Sequence, residues 1–309
     1  MKKVIKIIGN LLMIAAVVFI VKKFIGMDID YSQFKSAGVL GALGISFAVQ
    51  TVVIVMGTYP WLVFTKSLSG TQIPFSAAMP VYTQSNIYKY VPGNVFQYVG
   101  RNKLAADMNI SHVDVACATI FDVLFCVLWT AIISVALLGG KIAELMGKYG
   151  RNLLIVATVG VVLLIALILV VKLKFADKVK SYLSRYAKAF APENRGQLVK
   201  GIMYYLVQNI VSAATYFVCL RLILGGGASF AELSAFTGAF MFAWIIGFVT
   251  PGAPGGIGIR EGVMLFVSGN SYGDRIMLFV LVLRIGSILA DVAAFIIGRI
   301  YSSAHKKQI

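Results

Sequence analysis

Charged side chains are scarce in this chain: only 13% of its 309 residues are Asp, Glu, Lys or Arg, while 59% are hydrophobic. A soluble domain carries about a quarter of its residues as charged side chains. Mean hydropathy is +0.87, and several apolar runs approach or exceed the roughly 20 residues that a helix needs to cross a bilayer. The composition therefore excludes an ordinary soluble domain and predicts an all-α, polytopic membrane protein.

Cysteine and histidine are also rare. The three cysteines lie in apolar runs, which excludes a disulfide framework and a metal-ligand spacing, and the two histidines have no ligand partner at a useful distance in the sequence. No soluble stretch exceeds about 30 residues, which leaves no room for a cytosolic catalytic domain. The sequence thus predicts no enzyme activity, no metal and no cofactor.

Acidic residues are outnumbered: 12 Asp and Glu stand against 28 Lys and Arg, for a net charge of +16. The basic residues cluster between apolar runs, where they set topology and attract anionic lipid headgroups. A nucleic-acid partner is not expected, since the chain has no soluble basic domain. The glycine-rich motif near residue 255 lacks the G-x-x-x-x-G-K pattern of a phosphate-binding loop, so a nucleotide site is rejected as well.

Apolar length predicts six full spans, at about 4–21, 37–64, 113–139, 153–173, 198–224 and 275–300. The first span has no cleavage pattern after it, so we expect it to be retained. The basic segment 172–200 favours the cytoplasmic side of the cell membrane. An even number of spans then places both termini in the cytoplasm.

Two further apolar regions, 75–110 and 231–269, are interrupted by proline and glycine. We call Pro92-Gly93 the first break and residues 251–258 the second break. Each Pro-Gly pair is followed at the same spacing by an arginine, Arg101 or Arg260, and the two motifs are 159 residues apart. Because irregular backbone at membrane depth survives only inside protein or beside water, both regions are predicted to be re-entrant helical hairpins. Two ordinary kinked spans are the alternative.

The flanking apolar segments follow the same offset, which predicts a single membrane domain over residues 1–309 built from a repeat. Its parts are the first span (1–30), repeat one (37–139), a linking span with a cytoplasmic amphipathic segment (140–195) and repeat two (196–300). The odd span in the linker would invert the second repeat and bring the two breaks together near mid-membrane. The apolar face within 175–190 favours a helix in the headgroup layer, with a solvated connector as the alternative.

The second break is the stronger local signal, because its prolines and glycines cannot remain helical: Pro251, Gly252, Pro254, Gly255, Gly256 and Gly258. Arg260 and Glu261 fall in the first turn of the helix that restarts. Free N–H groups and an arginine at a helix start form an anion site. Glu261 would stabilise that start, orient Arg260 and take up a proton. The structural alternative is a buried Arg–Glu pair that only pins the hairpin.

The first break offers Asn94 and Gln97 for headgroup oxygens and Arg101 for a phosphate, after the helix breakers Pro92 and Gly93. Lys89, near a boundary, is more typical of a lysine that extends its ammonium group to the membrane surface.

Three more charges lie inside predicted spans: Asp122, Arg284 and Asp291. We expect Asp122 to pair across helices with Arg284 or Arg260, and each charge to be either a proton site or half of a structural pair. Gln50 and Asn209 also share the 159-residue offset, and helix–helix hydrogen bonding is the favoured role for them.

At these two motifs the sequence resembles the flippase-like family that includes the transmembrane region of lysylphosphatidylglycerol synthases. The resemblance is carried by Pro92-Gly93 with Arg101 and by the run from Pro251 to Gly262, and it covers roughly residues 35–300. Members often have a Glu-Arg pair three residues before an aspartate in the span after the first hairpin. Here Asp122 is that aspartate, but Ala118 and Thr119 stand in place of the pair.

The resemblance implies translocation of an anionic phospholipid or polyprenyl-phosphate-linked lipid between leaflets, without the synthase activity of the bifunctional members. Arg101 and Arg260, assisted by Asn94 and Gln97, are the expected phosphate contacts, and Glu261, Asp122 and Asp291 the candidate proton sites. One alternative is a membrane accessory or catalytic subunit that works with a glycosyltransferase or lipid-modifying enzyme. A second is a channel or transporter for a small anion.

Overall fold

The computed structural model describes residues 34–90, 96–141, 143–144, 147–148, 150, 186–187, 189–249, 258–269 and 272–305. The predicted spans at 4–21 and 153–173 lie outside these residues, as does most of the amphipathic segment. The first break and most of the second also lie outside them, so Pro92, Gly93, Asn94, Pro251, Gly252, Pro254, Gly255 and Gly256 are not described.

Within this part of the chain we number nine α-helices, and no residue is in a strand. They are α1 (Ala37–Met56), α2 (Thr58–Ser69), α3 (Phe75–Asn86), α4 (Phe96–Leu104), α5 (His112–Leu138), α6 (Arg195–Leu224), α7 (Phe230–Val249), α8 (Ile259–Ser268) and α9 (Gly273–His305). Short 3₁₀ turns follow α3 (Ile87–Tyr90) and α4 (Ala105–Met108) and precede α6 (Pro192–Asn194).

Five helical segments are long and apolar enough to cross a membrane: Ala37–Ser69, His112–Leu138, Pro192–Gly227, Phe230–Phe248 and Gly273–Ala304. The prediction of an all-α membrane protein is therefore confirmed. Four of the segments match predicted spans to within a few residues at most ends. The fifth, α7, was expected to be one arm of a re-entrant hairpin, yet its 20 residues are long enough to cross.

The region of the first break contains only short helices. α3 has 12 residues and α4 has 9, so at 1.5 Å per residue neither spans the ~30 Å of a hydrocarbon core. In the region of the second break the two helices differ in length, since α7 is long and α8 has only 10 residues. Both regions thus have a helix on each side of the break, but the helix before the break has 12 residues in the first region and 20 in the second.

The predicted span at 37–64 is divided into α1 and α2 at Gly57. Pro60 explains the division, because it has no N–H to bond to the carbonyl four residues earlier and its ring crowds that carbonyl. Gly57 keeps a helical conformation and its N–H bonds to the Val53 carbonyl at 2.9 Å. The interruption is therefore local, and the segment continues as α2.

The contacts between helices repeat in the two halves. The helix after each break packs on the helix before it, α4 on α3 and α8 on α7. The helix after each break also contacts the last helix of its own half, α5 or α9. The helices before the breaks contact the opposite half: α3 packs on α9 of the second half, and α7 packs on α5 of the first. The pattern of contacts is thus similar in the two halves, while the 159-residue repeat and the opposite membrane orientation of the halves stay predictions.

Close approach at these crossings depends on small residues, as is usual between membrane helices. A Cβ built on Gly238 of α7 would lie 2.7 Å from the Ser134 carbonyl oxygen and 2.8 Å from the Leu138 nitrogen of α5. The Ser134 hydroxyl donates to the Gly238 carbonyl at 2.8 Å. Where α9 meets α1, Gly286 packs instead on the side-chain hydroxyl of Ser46. At Gly238 the backbones of α7 and α5 are therefore in direct contact, and neither glycine has space for a side chain.

Two apolar clusters hold the halves together. One joins α1, α5, α6, α7, α8 and α9 around Phe279 and Met264. The other joins α2, α3, α5 and α6 around Trp61 and Phe64. Tyr186 and Phe190, at the end of the predicted amphipathic segment, contact Phe121 of α5, at 4.8 and 5.9 Å between ring centroids. That end of the segment packs on the helices, while its membrane position stays a prediction.

Candidate functional site

A cavity of about 250 Å³ lies where the two halves meet. Every described helix except α2 contributes to its wall. The wall holds four cations, among them both repeat arginines, which are drawn from the two halves: Lys89, Arg101, Arg260 and Arg284. The structure thus brings Arg101 and Arg260 to a single cavity, together with Gln97 and Asp122.

Arg101 is the most enclosed of the four, with 2% of its surface exposed. Its Nη1 forms an ion pair with Asp122 Oδ2 at 2.9 Å. The guanidinium also lies 3.9 Å from the ring centroid of Tyr82, and its Nε donates to the Ser85 hydroxyl at 3.4 Å. These contacts occupy Arg101, so its charge is already compensated within the protein.

Asp122 accepts hydrogen bonds from the hydroxyls of Tyr82, at 3.2 Å, and Tyr205, in addition to the ion pair with Arg101. The expected pairing of Asp122 with Arg284 or Arg260 is therefore wrong. The physical reason is position: α4 packs directly on α5 and places Arg101 against Asp122, whereas Arg284 has another carboxylate within reach.

That carboxylate is Glu261. Its Oε1 lies 2.9 Å from Arg284 Nε, and its Oε2 accepts from Arg284 Nη2 at 3.1 Å. Oε2 also accepts from the Gly258 N–H at 2.9 Å, which caps the start of α8. Glu261 thus stabilises the helix start as predicted, but its ion-pair partner is Arg284 and not Arg260.

Asp291 forms the third compensated group, and its side chain is fully buried. It accepts from Asn86 Nδ2 at 2.7 Å, from the Lys89 ammonium at 2.8 Å and from the Tyr90 hydroxyl at 2.5 Å. Lys89 therefore pairs with a buried carboxylate, although its own side chain is 29% exposed. These bonds connect the segment just before the first break to α9.

Arg260 differs from the other three cations. Within the described part of the chain it forms no ion pair and no hydrogen bond, and its Nε is buried without a partner. The residue as a whole is half-buried, and a charge that is partly removed from water without a partner is costly. Charges kept inside a membrane at such a cost usually serve a function. Arg260 is accordingly the cation in this cavity that is available to a ligand.

Gly258 immediately precedes α8 and has a φ of +86°. Glycine adopts this backbone conformation at no steric cost, whereas other residues are strained there. The predicted role of Gly258 as a helix breaker is thus consistent with its geometry. It directs the chain into α8 so that Arg260 follows two residues later, in the first turn, on the cavity wall.

The remaining wall combines amide, hydroxyl and aromatic side chains. Gln50 and Gln208 line the cavity, as do Tyr98, Tyr216 and Trp244. The wall thus combines apolar and aromatic surface with polar groups that can fix the orientation of a ligand.

Asn209, expected to act between helices, indeed accepts from the Thr130 hydroxyl at 2.6 Å and donates to the Tyr205 carbonyl at 2.9 Å. It joins α6 to α5. Its counterpart in the first half, Gln50, lines the cavity.

Sequence reasoning gave no role to Asn86 or Tyr90 and treated Lys89 as a boundary residue. Their spacing carried a usable signal, since positions 86, 89 and 90 fall on one face of a helical turn in an otherwise apolar region. Asp291 was found as an intramembrane charge, but its partners on another helix were not.

No metal-binding group of three or more His, Cys, Asp or Glu occurs among the residues that the structure describes. Comparison with protein-family models, with curated proteins and with solved structures found no match. Membership of the flippase-like family therefore stays a prediction from the motif residues.

Proposed function

We propose that this protein moves an anionic lipid or lipid-linked precursor between membrane leaflets, and that Arg260 binds the negative charge of its headgroup. The observation that carries the proposal is the unpaired Arg260 on the wall of the central cavity. A guanidinium matches the oxygens of a phosphate in a two-pronged geometry. The start of α8 adds free N–H groups beside it.

Two features favour a lipid over a small free anion. The wall includes apolar side chains such as Val123, Val127 and Ile288 beside the polar groups, which suits a headgroup that remains attached to acyl or prenyl chains. The repeated contacts of the two halves also provide two related units around one cavity. In transporters, such units expose a central site first to one side and then to the other.

Arg101 has a different role in this proposal from the one its motif predicted. It lines the cavity but is held by Asp122 and Tyr82. We assign it to holding α4 in place and leave direct binding of the headgroup to Arg260, with Gln97 as an assisting polar group on the wall.

The test uses liposomes that contain the purified protein and a trace of fluorescent phosphatidylglycerol. Chemical quenching from outside measures transfer to the outer leaflet. We expect wild-type protein to accelerate transfer and Arg260→Gln to reduce the rate at least about tenfold, which corresponds to about 1.4 kcal/mol. Arg299→Gln is the matched control, because Arg299 is exposed and does not line the cavity.

Arg260→Gln also gives a second readout that separates function from folding. Removing this unpaired, half-buried charge leaves no carboxylate without a partner, so the variant should unfold at the same or a higher temperature than wild type. Loss of transfer with retained stability supports the proposal. Transfer by Arg260→Gln equal to that of wild type, or no transfer of any anionic lipid by wild type, would refute it.

A further inference from the structure

The charges around the cavity can be counted. Lys89, Arg101 and Arg284 each have a carboxylate partner, at 2.7 to 2.9 Å. Arg260 has none within the described part of the chain. Among the described residues, four cations and three carboxylates at the cavity therefore leave one positive charge. The two gaps that adjoin α4 and α8, residues 91–95 and 250–257, contain no charged residue, so they do not alter this count.

A single surplus charge has a consequence for the ligand. A phosphodiester headgroup carries one negative charge and would neutralise the cavity. A phosphomonoester above its second pKa of about 6 carries two. The second charge would remain uncompensated in a poorly hydrated site, or would have to draw a cation away from its carboxylate, and both outcomes are unfavourable.

From this count we infer that the cavity selects phosphodiester headgroups with one negative charge over phosphomonoester headgroups with two, and that the Glu261–Arg284 pair sets this preference. The inference rests on the proposed function and narrows its substrate class. Glu261 is a positioning residue here: it acts by neutralising Arg284, and its two oxygens are already occupied by Arg284 and the Gly258 N–H.

Glu261→Gln tests the count directly. The amide oxygen can still accept from the Gly258 N–H and preserve the start of α8. Arg284 then loses this carboxylate partner, which raises the surplus of positive charge among the described residues from one to two. A dianionic headgroup should become the better ligand. Glu144→Gln is the matched control, since Glu144 pairs with Lys141 and its side chain is 62% exposed.

The experiment compares fluorescent phosphatidylglycerol with fluorescent phosphatidic acid of the same acyl chains, in the same liposomes at pH 8.5. We expect wild type to transfer phosphatidylglycerol at least about tenfold faster, a difference of about 1.4 kcal/mol. Glu261→Gln should shift the ratio of the two rates toward phosphatidic acid by a similar factor. Glu144→Gln should leave the ratio unchanged.

Failure of this inference differs from failure of the proposed function. If wild type transfers both lipids equally and Arg260→Gln abolishes the transfer of both, the cavity binds anions irrespective of their charge and the inference is wrong. If Arg260→Gln affects neither lipid, the proposed function itself is wrong. An unchanged ratio in folded Glu261→Gln also overturns the inference.

A second variant covers the case in which Glu261→Gln does not fold. Lys89→Gln lowers the surplus to zero, and Asp291 keeps its bonds from Asn86 and Tyr90. This change should reduce the transfer of phosphatidylglycerol relative to a zwitterionic lipid by about tenfold, or about 1.4 kcal/mol. An unaltered preference for phosphatidylglycerol would contradict the charge count.

Discussion

The hydroxyl of Tyr205 donates to Asp122, a carboxylate of which 5% is exposed, and this bond can be removed without changing the shape of the ring. Tyr205→Phe should therefore destabilise the protein, since a hydrogen bond to a charged group contributes about 1.5–3 kcal/mol. Tyr204→Phe provides the control. Tyr204 is the neighbouring residue, and its hydroxyl has no hydrogen bond within the described part of the chain.

Arg101→Met removes the ion pair itself. It leaves Asp122 buried with only two hydroxyl donors, and breaking a buried pair from one side costs about 3–5 kcal/mol. The double change Arg101→Met with Asp122→Leu removes both charges and should cost less than the single change. The coupling between the two positions would show that the pair, and not either residue alone, supports this region.

The free energy of unfolding is measured by titration with sodium dodecyl sulfate in mixed micelles, with transfer measured on the folded fraction of each variant. We expect the order Tyr204→Phe, Tyr205→Phe, Arg101→Met from least to most destabilised. An Arg101→Met protein that unfolds like wild type but no longer transfers lipid would refute the reasoning. In that event Arg101 would be a ligand contact, as its motif first suggested.

Two backbone positions give further predictions. Gly238→Ala should destabilise the protein by about 1–3 kcal/mol because its Cβ would meet the α5 backbone, whereas Gly44→Ala, with nothing within 4 Å, should be neutral or stabilising. Equal free energies of unfolding for the two variants in micelles would show that α7 and α5 can move apart to accommodate the added methyl group. Gly258→Ala should cost about 1–2 kcal/mol because φ is +86° there, and the same titration, together with the transfer assay, would show whether the strain displaces Arg260.

The long apolar helices could be predicted from sequence because burial in a bilayer imposes a length and a composition. α5 was expected at 113–139 and begins at His112, and α9 was expected at 275–300 and extends to His305. The division at Gly57 was missed, although Pro60 carries the signal. The length of α7 was also underestimated, because the proline-rich motif after it led to the prediction that the whole region forms one re-entrant hairpin.

The ion pairs could not be predicted in the same way. Sequence showed which charges lie in apolar surroundings, but each has several possible partners on other helices. The choice between them depends on helix rotation and depth, which local spacing does not fix. Arg101 contacts Asp122 because α4 lies on α5, and Lys89 contacts Asp291 because α3 crosses to α9. The crossing of the two halves decides these contacts.

The bonds to Asp291 restrict how the molecule can change shape. Asn86, Lys89 and Tyr90 all attach to this one carboxylate of the other half. Any rearrangement that separates α3 and the 3₁₀ turn after it from α9 would break all of these bonds at once. A rearrangement that keeps this corner closed as a pivot would preserve all three bonds, so it would cost less than one that opens the corner.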